Sequence, residues 1–162
     1  MQVIKDSSVI EDSWLRFEPE DNEAPLPQGD VIVPLSYWLA RQEELAAREG
    51  SVSVCINGDD ELTDIAPFID QFELIAIEFP VFRDGRGYSL ARALRQRYEF
   101  QGDIRAVGDV LRDQLYFMQR CGISSYQLKK GKDPQEALKG FADFSIRYQG
   151  AVDTPETIYR RR

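Results

Sequence analysis

Short apolar runs alternate with amphipathic stretches along most of this chain. Runs rich in β-branched residues predict strands at 31–33, 52–56, 72–77, 102–108 and 123–128. Apolar residues at helical spacing predict helices at 37–48, 61–70, 88–98 and 110–120, and Asp133-Pro134 opens another that runs to about residue 148. This alternation predicts an α/β fold with about five right-handed βα units and a mainly parallel sheet.

Two architectures fit this order of elements: an incomplete TIM-like barrel and an open doubly wound sheet. The absence of a GxGxxG motif after the first predicted strand favours the incomplete barrel. Such a barrel exposes the edges of its sheet, and exposed edges favour a homodimer.

The remaining segments complete a single predicted domain over 1–162. Residues 1–17 alternate loosely between apolar and polar positions and predict a small β-hairpin. Residues 18–30 hold three prolines and five acidic residues, so we expect an acidic, proline-rich loop. The βα core then spans 31–150, and 151–162 form a tail.

Charge and hydropathy narrow the class of protein. The net charge of −8 argues against a nucleic-acid-binding protein, which carries a basic surface. The first residues lack the apolar core of a signal peptide, and no apolar run is long enough to span a membrane. We therefore expect a cytoplasmic protein that does not bind membranes.

The chain contains no histidine, which excludes every Ser-His-Asp or Cys-His mechanism. Acid–base chemistry must then fall to carboxylates, Tyr, Lys or Cys. Two cysteines without histidine cannot supply the usual zinc or iron–sulfur ligand sets, so no metal and no cofactor are predicted. Cys55 lies within a strand pattern and is interpreted as a core residue, and Cys121 precedes Gly122 at a predicted helix end.

The loop after the third predicted strand concentrates charge, glycine and aromatic residues. Ligands bind at such strand–loop–helix junctions in parallel α/β proteins. Arginines bind anions in a bidentate manner, and glycines let the backbone approach a ligand. The candidate ligand-binding residues in this loop are Arg83, Asp84, Gly85, Arg86, Gly87 and Tyr88. The alternative is a tight turn with surface arginines.

A second group of charged residues accompanies the fourth predicted strand: Arg105, Asp109, Arg112 and Asp113. Arg105 lies in an otherwise apolar strand, so its charge needs a partner or must reach the strand end. We expect Arg105, Asp109 and Arg112 to join the arginine-rich loop at one edge of the sheet; a helix cap with an ion-paired face is the alternative.

Carboxylates at this edge are the candidate catalytic bases: Glu78, Asp84 and Asp109. For Glu78 the favoured interpretation is an ion pair with Arg83 or Arg105, because two arginines are expected near it. Lys129, Lys130 and Lys132 follow the last predicted strand and extend a positive rim or form a solvated turn.

The strings FRDGRGYS (82–89) and RAVGDVLRDQ (105–114) resemble a bacterial family known as domain of unknown function 934. Residues 30–35 and 118–123 are also similar to it, so the resemblance covers nearly the whole chain. Members of that family are often described as probable oxidoreductases of sulfite reduction, encoded beside genes for sulfite reductase and cysteine biosynthesis. The resemblance implies a role in sulfur assimilation, and it implies no catalytic residues.

Three functions remain open from the sequence. The first is an accessory protein of assimilatory sulfite reduction that binds sulfite, sulfate, sulfite reductase or the reductase's electron donor through Arg83, Arg86 and Arg105. The second is a small enzyme that acts on an anionic sulfur-pathway metabolite with a carboxylate base. The third is a protein-interaction module without a small-molecule site.

Overall fold

The computed structural model describes residues 1–21, 23–80 and 85–142. The strands are β1 (Gln2–Lys5), β2 (Ser8–Glu11), β3 (Leu15–Arg16), β4 (Val31–Pro34), β5 (Val52–Ile56), β6 (Leu74–Phe79), β7 (Asp103–Gly108) and β8 (Ser125–Tyr126). The α-helices are α1 (Leu35–Ala40), α2 (Gln42–Ala47), α3 (Arg86–Gln96), α4 (Arg112–Arg120) and α5 (Pro134–Ala137). Three short 3₁₀ helices cover Leu62–Asp64, Ala66–Gln71 and Leu138–Ala142.

The eight strands form one mixed sheet in the order β2-β1-β8-β7-β6-β5-β4-β3. Strands β3 to β8 are parallel and neighbour one another in chain order, so the sheet has no point at which the strand order reverses. This order confirms the incomplete barrel with five βα units and excludes the doubly wound alternative. The hairpin of β1 and β2 adds to β8 in antiparallel orientation, which makes the sheet mixed.

The connection between β2 and β3 shows that the sheet is curled. These two strands lie at opposite edges of the sheet, yet residues 12–14 alone join them. A flat sheet with strands ~4.8 Å apart would separate the two edges by ~34 Å. The four Cα–Cα steps from Glu11 to Leu15 span at most ~15 Å. The edges are therefore brought together, and the sheet forms a partial barrel.

The two faces of the sheet carry different cores. The outer face packs against the helices in a cluster that includes Ile75, Ile77 and Phe79 of β6. The inner face holds a smaller cluster of Ile32, Leu74, Ala76 and Val107, against which Trp14 and Cys55 pack. Strands buried on both faces explain why these runs are apolar almost throughout.

Residues 1–17 differ from their prediction. The hairpin is present, and Asp6 and Ser7 form its turn with φ of 52° and 60°, the conformation that two-residue hairpin turns favour. Leu15 and Arg16 are not part of it, because they pair in parallel with Val31 and Ile32 at the opposite sheet edge. Within the described part of 18–30 there is no helix or strand, and the predicted tail at 151–162 lies outside the described residues.

Several helices are shorter than predicted. The predicted helix at 37–48 is divided at Arg41 into α1 and α2, and 61–70 contains two 3₁₀ helices, the second with Pro67 in its first turn. Pro67 donates no backbone hydrogen bond, so a continuous helix cannot pass through it. The N-cap of α4 is Leu111 rather than Asp109, with the Gln114 side chain accepting from the Leu111 amide.

The last predicted helix is described only as far as residue 142, and its continuation to 148 lies outside the described residues. Its start is confirmed, because Asp133 caps α5 by accepting from the Gln135 amide at 2.9 Å. Among the described helices, none combines the length and the apolar character needed to cross a bilayer.

Candidate functional site

The two motif segments lie side by side at the carboxyl ends of the parallel strands. Glu78 and Phe79 of β6 are in register with Val107 and Gly108 of β7, and the Asp109 amide donates to the Phe79 carbonyl at 2.7 Å. Gly108 has φ +92°, and a Cβ there would lie 2.6 Å from the Phe79 carbonyl oxygen. Glycine is therefore required where the second motif meets the first. We call this edge of the sheet, with its loops, the C-terminal rim.

The structure describes only the last part of the arginine-rich loop. Arg83 and Asp84 belong to the segment 81–84, which the structure does not describe. The described part of the loop begins at Gly85, which is exposed and is the N-cap of α3. Gly87, one turn into the helix, is buried, and a Cβ there would lie 2.6 Å from the Phe79 ring. Gly87 thus permits the close approach of α3 to β6.

Arg86 lies at the rim with its side chain 55% exposed. Its guanidinium donates to Asp59 Oδ1 at 2.6 Å and packs closely over Gly58 in the loop after β5. An ion pair this exposed is worth little to stability, so Arg86 can exchange Asp59 for another anionic partner at small cost.

Tyr88 joins the rim to the helical layer. Its ring packs edge-on against Phe117 of α4, at a centroid distance of 4.8 Å, and against Phe79 at 5.1 Å. Burial raises the pKa of the Tyr88 hydroxyl, and a hydrogen bond with the Gln114 side chain opposes that shift. Tyr88 therefore positions α3 against α4 and keeps its proton at neutral pH.

Asp109 and Arg112 also lie at the rim, each beside an opposite charge. Lys129 Nζ lies 3.0 Å from Asp109 Oδ1, and Arg112 NH1 lies 3.1 Å from Glu136 Oε1. Both pairs cross between neighbouring βα units, so they hold the loops after β7 and β8 together. These two contacts agree with the alternative interpretation of the sequence, in which Asp109 and Arg112 form ion pairs instead of a ligand site.

Arg105 is placed away from the rim. It occupies the third position of β7, its side chain lies inside the partial barrel, and the residue is 2% exposed. Its guanidinium donates to Asp12 Oδ2 at 2.5 Å and to Ser125 Oγ at 3.0 Å, with Asp103 at 3.6 Å. A side chain on this face at mid-strand cannot reach the strand end, so Arg105 satisfies its charge with internal partners.

Glu78 borders a small cleft at the mouth of the partial barrel, and its partner among the described residues is Arg16 rather than Arg105. The predicted pairing with Arg83 lies outside the described residues. Arg16 donates to Glu78 Oε1 at 2.7 Å and lies 2.9 Å from Glu18. The cleft has a volume of about 130 Å³. It is lined by Arg16, Phe17, Glu18, Pro34, Leu35, Ser36, Cys55, Asn57, Asp60 and Glu78.

Two further groups in this cleft have shifted proton affinities. Burial raises the pKa of the Cys55 thiol to about 12, although Arg16 opposes the shift through its charge and a hydrogen bond. Cys55 is partly buried: it packs against the inner core and also borders the cleft, and its thiol is protonated at neutral pH. Burial also raises the pKa of Asp60, whose carboxylate accepts from the Asn57 amide at 2.9 Å.

The charges divide the rim into two halves. The half around β3 to β5 is acidic, because Glu18, Glu78 and Asp60 surround the single guanidinium of Arg16 in the cleft. The half around β6 to β8 carries the exposed cations Arg86, Arg112, Lys129, Lys130 and Lys132. Arg86, Arg112 and Lys129 are each paired with a carboxylate, whereas Lys130 and Lys132 have no carboxylate partner among the described residues.

Sequence reasoning missed Arg16, Asp60 and the exposed ring of Phe117. Arg16 interrupts an apolar stretch, Leu15-Arg16-Phe17, and that break is the one signal that could have marked it. In the sequence, Asp60 looks like any acidic residue in a turn, and Phe117 looks like one of the apolar residues by which α4 packs on the core. Their environments depend on segments distant in sequence.

The comparisons with known proteins identify a family and no individual relative. A search of curated proteins finds no match, and a search of solved structures finds none either. A family model described as "Bacterial protein of unknown function (DUF934)" matches residues 53–159, about two thirds of the chain. The matched span contains β5 to β8, α3, α4 and both motif strings that meet at the rim. The chain belongs to the DUF934 family.

Proposed function

We propose that this chain is an accessory protein of assimilatory sulfite reduction and cysteine biosynthesis that acts by binding at its C-terminal rim. The ligand is an anionic group: sulfite or sulfate, or an acidic segment of sulfite reductase or of its electron donor. The metabolic setting follows from the resemblance of FRDGRGYS and RAVGDVLRDQ to the family. The mode of action follows from the geometry of the rim.

One observation carries the proposal: cations follow the carboxyl ends of three successive strands, along the edge of the sheet where the two motifs meet. Arg86 follows β6, Arg112 follows β7, and the lysines follow β8. Lys130 and Lys132 are exposed, and no carboxylate of the described residues pairs with either. On a chain with a net charge of −8, two exposed lysines without a carboxylate partner among the described residues support a binding role for this edge.

Binding is favoured over catalysis by the character of the neighbouring cleft. Its volume of about 130 Å³ is below the ~300–1,000 Å³ of typical small-molecule sites. Its three carboxylates disfavour an anionic metabolite. The Cys55 thiol is protonated at neutral pH and is therefore a poor nucleophile.

A second candidate function, a small enzyme with a carboxylate base, is favoured by a separate observation. Asp60 has a raised pKa and shares the cleft with Glu78 at the end of the strands where barrel enzymes carry their active sites. Glu78→Gln and Asp60→Asn would test it. Loss of sulfite-dependent growth in these variants, with binding to sulfite reductase unchanged, would favour the enzyme.

The proposal is tested by binding and by growth. Isothermal titration of the full chain with purified sulfite reductase should give a saturable, salt-sensitive interaction that Arg86→Ala and Arg112→Ala weaken. Thermal shift with sulfite and sulfate tests the small-anion form, because a ligand specific to the native state raises the melting temperature. Arg83→Ala extends the test to the undescribed part of the loop, and each variant is assayed for sulfite-dependent growth.

Lys139→Ala is the matched control, since Lys139 is an exposed cation paired with Glu136 outside the rim loops. Reductase binding without any shift by the anions would favour a protein-interaction module without a small-molecule site. Absence of both binding and shift, together with normal growth of the rim variants, would overturn the proposal.

A further inference from the structure

Helix α3 and its C-cap carry a charge opposite to that of the chain as a whole. Residues 85–98 include Arg86, Arg92, Arg95 and Arg97 and no acidic residue, whereas the whole chain has 28 acidic and 20 basic residues. A positive charge in the first turn of a helix opposes the helix dipole, so Arg86 is not there for helix stability.

Two of the four arginines have structural partners. Arg95 donates to the carbonyl oxygens of Phe100, Gly102 and Gly122 and so ties the end of α3 to the base of the barrel. Arg86 is paired with Asp59. These contacts explain Arg95 without a partner protein, and Arg86 belongs to the C-terminal rim described above.

Arg92 and Arg97 have no such explanation. Both are exposed, and within 1–21, 23–80 and 85–142 no carboxylate pairs with either guanidinium. The guanidinium of Arg92 instead lies over the ring of Phe117 on α4, 5.5 Å from its centroid. Two unpaired cations on one helix of an acidic protein repel other cations and attract acidic surfaces.

Phe117 places an apolar anchor beside these cations. Its side chain is 45% exposed, yet its ring is held between Tyr88 on one side and Arg92 on the other. A fixed, exposed aromatic ring next to arginine has the composition of an interface hot spot, and a ring already held in place loses little entropy on binding.

The surface on the opposite side of α3 restricts where a partner can lie. The groove there, about 420 Å³, has Arg86 and Arg97 on one wall and Asp60 and Glu61 on the other. An acidic partner is repelled by that second wall. Arg97 also borders the outer face of α3, beside Arg92 and Gln96. A partner that avoids the acidic wall therefore lies on this outer face, over Arg97 and Arg92, and extends toward Phe117 on α4.

We infer that the outer face of α3 and α4, built on Arg92, Arg97 and Phe117, is the docking surface for an acidic region of a partner protein. The inference rests on the proposed function in taking the partner to be a protein, and it adds the surface and the chemistry of recognition. The pI of about 4.7 disfavours nucleic acid as the occupant.

The test uses the full chain and two probes, a fluorescent oligoglutamate peptide and purified sulfite reductase. Arg92→Glu and Arg97→Glu should each weaken peptide binding about tenfold at low salt, because each turns an attraction into a repulsion. Phe117→Ala should weaken reductase binding at least as much as it weakens peptide binding. Lys139→Glu, the same charge reversal at an exposed cation outside both α3 and the rim loops, is the matched control and should change peptide binding less than about twofold.

The outcomes separate this inference from the proposed function. Reductase binding that Arg92→Glu and Arg97→Glu leave intact overturns the inference alone. Peptide binding at this face without reductase binding supports the inference and contradicts the reductase as partner. No binding of either probe, preference for a single-stranded oligonucleotide, or self-association that Arg92→Glu abolishes overturns the acidic protein partner. Arg92→Gln removes the charge without reversing it, so it serves as a control for a folding defect in Arg92→Glu.

Discussion

Arg105 and Arg86 are both arginines paired with aspartate, but they lie in opposite surroundings. Arg105 is enclosed in the partial barrel, where Asp12, Asp103 and Ser125 take up its donors. Arg86 lies at the rim with more than half of its side chain in water, and its guanidinium is 2.6 Å from Asp59 Oδ1. In water an ion pair is weak and exchangeable, whereas in the barrel interior an unpaired charge is costly.

The difference separates a charge that holds the fold from a charge whose exposed ion pair can be exchanged. The interior pair connects β7 to the short link between the two sheet edges, so it closes the partial barrel. The rim pair holds a loop whose partner can be replaced. Charge alone did not distinguish these roles, because both arginines stand in motif segments.

The largest effect is expected from breaking the interior pair. Arg105→Ala leaves Asp12 and Asp103 without their buried cation and should lower the free energy of unfolding by about 3–5 kcal/mol. Urea denaturation monitored by tryptophan fluorescence measures it, and Trp14 on the inner core is a suitable reporter. A loss similar to that of Arg86→Ala would show that the interior is solvated.

The cleft should make Cys55 unreactive. The thiol pKa of about 12, instead of 9.0, lowers the fraction of thiolate at pH 8. The thiolate of a weaker acid is intrinsically more nucleophilic, and this compensates in part. We expect reaction with an aromatic disulfide reagent to be about 50-fold slower than in the unfolded chain. Mass spectrometry distinguishes Cys55 from Cys121. A rate at pH 8 equal to the unfolded rate would contradict burial as the cause.

The junction of the two motifs should be sensitive at Gly87 and tolerant at Gly85. A Cβ at Gly87 meets the Phe79 ring, so Gly87→Ala should destabilise the protein by about 1–3 kcal/mol. A Cβ at Gly85 meets nothing within 4 Å and φ there is −83°, but alanine is a poorer N-cap than glycine, so Gly85→Ala should change the free energy of unfolding by less than about 0.5 kcal/mol. Thermal melts compare them, and equal effects would refute the close packing of α3 on β6.

Removal of the rim arginine should hardly affect folding. Arg86→Ala should change the free energy of unfolding by less than about 1 kcal/mol, because the pair with Asp59 is exposed. The same denaturation experiment as for Arg105 measures it, in low and high salt. A large, salt-insensitive loss would assign Arg86 to the fold instead of the binding surface.

The smallest effect is expected at Asp60. Burial raises its pKa in the folded state, so its contribution to stability is fully present below the unfolded pKa and is lost as the pH rises through the folded pKa. Asp60→Asn should therefore be slightly more stable than the parent at pH 7, with the difference vanishing near pH 3. The opposite sign at pH 7 would mean that the Asn57 hydrogen bond outweighs burial.

The order and type of most strands could be predicted from local pattern. The runs at β4, β5, β6 and β7 are apolar on both faces, and such runs identify parallel strands without knowledge of their neighbours. The hairpin turn and the Asp133 cap were also predictable, since both depend on residues within a few positions. The predicted helices at 37–48 and 61–70 are too long. Apolar spacing continues through both segments and does not indicate the break at Arg41 or the effect of Pro67.

The candidate site was predicted in part. Arg86 and Asp109 lie at one edge of the sheet because parallel neighbours end together, and that follows from strand order alone. The interior position of Arg105 and the pairing of Glu78 with Arg16 did not follow, because their partners come from residues 12–16, far away in sequence.

The sequence by itself determined the strands, the βα order and the motif segments, because each rests on alternation, spacing or turn chemistry within a few residues. Tertiary structure alone decided which charges are enclosed and which remain in water. That choice depends on how the sheet curls and on what the link at 12–14 brings against β7. The free energy of a charge depends on its solvent and its partners, and both are supplied by segments that only folding brings together.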